Sequence, residues 1–218
     1  MANELIWKTL AGVLATFWLM LGAVAILSLI KARWLPQIKG GIGESTVKRA
    51  LSRLESTSFE SFHNLYLPRP DGKGTTQMDH VVVAATGIFV IETKHYQGWI
   101  FGSADQPHWT QSIYRNKQRF QNPIHQNALH VRALAVFLGL DSGVFHNLVY
   151  FSGNCTFKTS MPPHVMNRGL VRFIQSHRKQ LLNEATVQRC RAGLRSLSQG
   201  QDSRKLARSH AAALKSRM

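Results

Sequence analysis

QMDHVVVAATGIFVIETKHY, Gln77 to Tyr96, is the clearest β sequence in the chain and decides how the rest is read. Its halves, Gln77–Ala84 and Ile88–Tyr96, are rich in β-branched and aromatic residues, and a short connection around Ala85 to Gly87 joins them. The pattern predicts two antiparallel strands. Side chains alternate along a strand, so Glu92 and Lys94 share one face while Thr93 points to the other. A two-residue loop, Ala85-Thr86 or Thr86-Gly87, sets Asp79 opposite Glu92 or Lys94 on that same face. A three-residue loop turns Asp79 away.

Two carboxylates that converge repel each other unless a cation sits between them, and hard oxygen donors suit Mg²⁺ or Mn²⁺. A lysine beside them orients a metal-bound water, helps to deprotonate it, or stabilises developing negative charge. These are the requirements of phosphodiester hydrolysis. From spacing alone, a surface ion pair at the end of a hairpin explains the same residues, because D-x12-E-x-K is a loose pattern.

Outward from the hairpin, Phe59 to Leu67 reads as a strand and Pro68 to Gly74 as a loop. Upstream, the glycines of Lys39–Gly43 predict a loop, and Val47, Ala50, Leu51 and Leu54 an amphipathic helix from about Gly43 to Leu54. Downstream, Gly98–Gly102 extends the sheet, with Trp109 close behind. Asn122 is the expected N-cap and Pro123 the first residue of a helix that stops near Gly139. Val144–Phe151 reads as a strand, Gly169–Leu182 as a helix, and the chain from Ala185 as a basic, partly helical tail. The order of elements describes an α/β or α+β domain.

Leu10 to Ile30 is a run of 21 residues without a charge, long enough at about 1.5 Å per residue to cross a bilayer core of roughly 30 Å. It predicts a single transmembrane helix bracketed by Trp7 and Trp34. Lys31, Arg33, Lys39, Lys48 and Arg49 follow it and only Lys8 precedes it, which places the N-terminus outside and the remainder in the cytoplasm, against the inner membrane. The expected division is a head at 1–9, the span at 10–30, a linker at 31–39, a domain at 40–157, its extension at 158–184 and the tail at 185–218.

The chain carries 27 Lys and Arg against 11 Asp and Glu, a formal charge of +16, which favours polyanions as partners. Basic residues gather in Tyr114–Phe120, at Arg168, Arg172, Arg178 and Lys179, and along the tail. They suit phosphate neutralisation, with Trp109, Tyr114 and Phe120 available to stack on unpaired bases. A solvated face near anionic lipid is the competing reading of the same charge. Cys155 and Cys190 are too few for a four-cysteine zinc ribbon, and Lys39–Ser45 lacks the Gly-Lys-Ser/Thr of a P-loop.

GIGE (Gly41–Glu44) opening a helix, TTQMDHVVVAATGIFVIETKHYQGWIFG (Thr75–Gly102), Trp109 and NPIHQNALHVRAL (Asn122–Leu134) together resemble the nuclease-related domain, or NERD, family, grouped with the PD-(D/E)XK endonuclease-like superfamily. The resemblance implies an α/β, restriction-endonuclease-like core with a central mixed sheet flanked by helices, here preceded by the transmembrane helix. By position, Glu44 corresponds to the glutamate of the first core helix, Asp79 to the metal-binding aspartate, Glu92 and Lys94 to the E-x-K pair, and Gln126 to the glutamine of the following helix. Gln126 and His130, four apart, project from one helix face. The implied protein is a membrane-anchored nuclease hydrolysing DNA, ahead of RNA, with Mg²⁺ or Mn²⁺ held by Asp79, Glu92 and Glu44. The alternative is a non-catalytic nucleic-acid- or protein-binding module tethered to the cytoplasmic face of the membrane.

Overall fold

A computed structural model describes the backbone over residues 2–54 and 58–200, and within it the side chains at 2, 3, 5, 6, 8, 9, 11 and 29–40 lie outside the description. The chain divides into two compact units, Met1–Gly41 and Ile42–Met218. Helix α1 covers Ala2–Leu51. The loop expected at Lys39–Gly43 and the linker expected at 31–39 are therefore helical backbone. Glycine lowers helix propensity but does not forbid a helix, and Gly43 has another use: a Cβ there would come 2.8 Å from both His95 Cβ and Ser152 Oγ.

Within the described residues, no helix is long and apolar enough to cross a membrane. The span expected from Leu10 to Ile30 is described only in part, because the side chains of Ala11, Leu29 and Ile30 fall outside the set. Every described side chain from 12 to 28 is exposed.

The second unit is built on a five-stranded mixed sheet in the order β1-β2-β3-β7-β9. The strands are β1 (Phe59–Pro68), β2 (Thr75–Ala84), β3 (Gly87–Lys94), β7 (Phe145–Phe151) and β9 (Val165–Met166). β1, β2 and β3 run antiparallel, and β3 pairs in parallel with β7. The β2–β3 turn is the two-residue loop Ala85-Thr86, since Ala84 pairs with Gly87.

Strand alternation builds two cores from this sheet. Val81, Val83, Ile88 and Val90 pack with Leu134 of α2 (Pro123–Leu138) and with Val187, Cys190 and Leu194 of α4 (Glu184–Gly200). Val82, Phe89, Ile91 and Leu148 pack on the opposite side with Val47 and Leu51 of α1 and with Leu170 and Ile174 of α3 (Leu170–Ser176). The result is a mixed α/β sandwich with helices on both faces of a central sheet. The segment expected as the start of a tail is thus α4, whose Val187, Cys190 and Leu194 recur at helical spacing among arginines. Residues 201–218 of the expected tail lie outside the described residues.

A second sheet, β6-β5-β4-β8, consists of β4 (Gly98–Phe101), β5 (His108–Ile113), β6 (Asn116–Gln121) and β8 (Cys155–Phe157). The β5–β6 hairpin escapes the sequence reading because its polar, cationic strand β6 is exposed nearly throughout. Trp109 is fully buried and Phe120 half-buried against it, so these two rings are core and not stacking platforms.

Helix α2 is fixed at its start by Asn122, whose Oδ1 accepts from Ile124 N (2.9 Å) while its Nδ2 donates to the carbonyls of Ser103, Ala104 and Gln106. It stops at Gly139 in the left-handed conformation, φ +63°. Asn127, fully buried, donates to the carbonyls of Val90 on β3 and Leu148 on β7, tying the helix to the sheet's centre. Asn122→Ala removes the cap and leaves buried carbonyls unpaired, so urea denaturation is expected to show a loss of about 2 kcal/mol.

Candidate active site

The two-residue turn fixes the geometry. Continuing the β2–β3 ladder one step past its His80–Ile91 pair sets Asp79 across from Glu92, on the face that carries Val81, Val83, Ile88 and Val90. Helix α2 lies over that face. Its first two turns present Gln126 and His130 to the end of β3, where the carboxylates sit.

Glu92 is the centre of the cluster, its side chain only 4% exposed. Lys94 Nζ donates to Glu92 Oε1 at 2.7 Å and to Gln126 Oε1 at 2.9 Å. His130 Nε2 lies 3.2 Å from Glu92 Oε2, and His130 Nδ1 lies 2.7 Å from Thr76 Oγ1 on β2. Asp79 Oδ2 accepts from the backbone N–H of Thr93 at 2.8 Å. Glu44 comes from α1, in the layer on the other side of the sheet. It makes itself felt electrostatically, by the repulsion between its carboxylate and that of Glu92.

Burial works against every charge here, and the neighbours decide which survive. Burial raises the Glu92 carboxyl, but Lys94 and His130 outweigh it and hold the group down to about 2. Asp79 is pushed well above the usual carboxylate range by burial and then by Glu92 and Glu44, against the opposing pull of the Thr93 N–H and Lys94. Glu44 is raised by burial and by Glu92. Lys94 is disfavoured by burial but ends above the ordinary lysine value because Glu92 faces it. The Tyr66 hydroxyl on β1 is raised by burial and by Glu44 and Asp79, which places it in the same field.

All five residues singled out in the sequence therefore fall in one region. Asp79, Glu92, Lys94 and Gln126 converge at the end of β3, and Glu44 approaches from α1. Thr76, His130 as the second partner of Glu92, and Tyr66 belong to the same cluster. Only the spacing of Gln126 and His130 on α2 signals any of these in the sequence.

Among the described residues no group of three or more His, Cys, Asp or Glu side chains is arranged to hold a metal ion. Mg²⁺ needs less, since it is commonly held by one or two carboxylates and keeps several waters. Asp79 and Glu92 supply such a pair, and the raised pKa of Asp79 reflects its burial first and then the carboxylates of Glu92 and Glu44 beside it. Asp79 and Glu92 are both hard oxygen donors of the kind such an ion takes, with the two oxygens of Glu92 already paired to Lys94 and His130.

A mixed α/β domain with carboxylates, a lysine and a glutamine gathered at the end of a central strand is the class that fold and site define. Residues 39–152, about half of the chain, match the nuclease-related domain family, and the chain belongs to it. It is also 48% identical over 119 residues to an uncharacterized protein of Bacillus anthracis, a match covering 54% of this chain and 56% of that protein. The chain thus spans about half the length of the curated relative it matches. No solved structure matches.

The opposed shifts give a signed pH dependence. Glu92, depressed in the folded state, contributes stability that is present above its unfolded value of 4.5 and is lost as the pH falls towards about 2. Asp79, raised in the folded state, does the reverse: it costs stability increasingly as the pH rises above its unfolded value of 3.8. Asp79→Asn is therefore expected to melt higher than wild type at pH 7, by an amount that shrinks towards pH 4. Glu92→Gln, which leaves the half-buried Lys94 without its carboxylate, is expected to lose about 3 kcal/mol at pH 7. Thermal denaturation across that pH range checks both signs.

Proposed function

We propose that this protein is a metal-dependent phosphodiesterase acting on nucleic acid, DNA ahead of RNA. The observation that carries the reading is Lys94 Nζ bridging Glu92 and Gln126 with Asp79 alongside, in a chain of the nuclease-related family. Asp79 and Glu92, with Glu44 assisting, would hold Mg²⁺ or Mn²⁺, which when bound lowers the pKa of water and neutralises the phosphoryl group.

The chain's own groups have separable tasks. Lys94, kept protonated by Glu92, is a donor and a fixed positive charge. It stabilises negative charge developing on the phosphate oxygens and does not act as the base. Gln126, held by Lys94 through its Oε1, keeps its amide donors available to orient water or substrate. His130, braced by Thr76, fixes the second oxygen of Glu92 and so sets the direction in which that carboxylate points.

One feature favours the alternative of a non-catalytic binding module: both oxygens of Glu92 already have partners in Lys94 and His130. Cleavage separates the two readings. The full chain with Mg²⁺ or Mn²⁺ is expected to cut labelled nucleic acid, with Asp79→Asn and Lys94→Ala at least about 100-fold slower, as for loss of an electrostatic stabiliser. Equal background cutting by all three proteins, with binding retained, would leave the binding module standing.

Attachment to the inner membrane through Leu10–Ile30, N-terminus outside, belongs to the same proposal. Its support is the uncharged sequence together with exposed apolar side chains such as Phe17, Trp18, Leu19 and Met20. The full chain is expected to sediment with membranes, to resist salt extraction and to be released by detergent. Release by salt alone would show attachment through charge.

A further inference from the structure

The second sheet packs one face on the core and carries most of its exposed cations on the other, where Ser112 is nonetheless buried. Ile100, Trp109 and Cys155 are buried on the first. Trp99 stands opposite Ser112 and Thr156, Ser112 opposite Lys117, and Thr110 opposite Arg119, so all of these share the other face. On it Trp99 is 52% exposed, and Lys117, Arg119 and Thr156 are exposed around it. The Lys158 ammonium lies 4.5 Å from the centre of the Trp99 ring. The four strands contain no Asp or Glu.

The β5–β6 turn adds a second ring. Tyr114 is 98% exposed and sits at φ +52°, a conformation that bulky residues rarely adopt. Such backbone strain clusters at sites of use. Both sheets are joined through the site: Ser152 N donates to Lys94 O, Gly98 N to Asn154 O, and β4 begins shortly after β3 ends. Trp99 lies five residues beyond Lys94, so their Cα atoms are at most about 18 Å apart at ~3.3–3.6 Å per residue.

We propose that this face binds single-stranded nucleic acid, with unpaired bases stacking on Trp99 and Tyr114 and phosphates neutralised by Lys117, Arg119 and Lys158. Flat aromatic rings among cations match the unpaired bases and charged backbone that a single strand exposes, whereas a duplex keeps its base faces in its own stack. A single strand suits this face better than a lipid surface, because Thr156, Lys117, Arg119 and Lys158 are the exposed side chains around Trp99 while Phe101, on the same face, is half-buried. On binding, Lys158 exchanges the ring for a phosphate. That the captured strand is delivered to Asp79, Glu92 and Lys94 rests on the nuclease reading; the binding itself does not.

The test uses the full chain in detergent with EDTA, titrating a labelled oligo-dT and a hairpin duplex of equal length across a salt series. The single strand is expected to bind more tightly. Trp99→Ala should weaken it on the order of 10- to 100-fold, Trp99→Phe should restore most of the loss, and the duplex should move little. Lys117→Ala and Arg119→Ala should each flatten the log–log salt slope for the single strand by about 0.7. Unchanged binding by Trp99→Ala, equal losses on both substrates, or Trp99-dependent binding to anionic vesicles in place of the oligonucleotide would overturn the proposal. Cleavage with Mg²⁺ is scored separately. A protein that cuts but is indifferent to Trp99 refutes the platform alone, and one that binds through Trp99 but never cuts refutes the nuclease alone.

Discussion

The ion pair between Lys94 and Glu92 is the constraint from which the site follows. A carboxylate this deeply buried survives as a charge only because an ammonium lies 2.7 Å away and an imidazole holds its other oxygen. Lys94 in turn needs a second acceptor, which Gln126 supplies from α2. The helix must therefore begin at the right place, and Asn122 and Pro123 ensure that it does. Asp79 has no such partner of its own, and burial first, then the charges of Glu92 and Glu44, raise its proton affinity. The pocket is electrostatically incomplete in the sense that one more positive charge would relieve it.

Central-strand packing makes that incompleteness tolerable. Val81, Val83, Ile88 and Val90 bury the approach to the pocket under α2 and α4, while Val82, Phe89 and Ile91 do the same beneath α1 and α3. With both faces covered, the end of β3 is rigid enough to hold unfavourable charges together. Asn127, bonded to the backbone of both parallel strands, keeps α2 from drifting off the sheet.

Much of this was legible in the sequence where local chemistry dictates structure. The hairpin, the helix start at Asn122-Pro123 and the grouping of Asp79 with Glu92 and Lys94 follow from alternation, capping and the parity of a two-residue turn. Other parts were hidden because tertiary contacts override local preference. The glycines at 40–43 suggest a loop, yet Gly43 serves close approach to His95 and Ser152 within a helix. The arginines of α4 mask its apolar stripe, and the cationic strand β6 hides a hairpin. Trp109 and Phe120 look available for stacking and are core, whereas Trp99 sits in a short apolar run that gives no sign of its exposure. Thr76 and Tyr66 have no sequence signal, because their roles arise only from what the sheet sets beside them.

The central claim is that these crowded carboxylates form a cation site. Electron paramagnetic resonance of Mn²⁺ titrated into the full chain at pH 7 tests it most directly, with Asp79→Asn as the comparison. Saturable loss of the free-ion signal with wild type, absent with Asp79→Asn, is the predicted result. Indistinguishable titrations of the two proteins would contradict it.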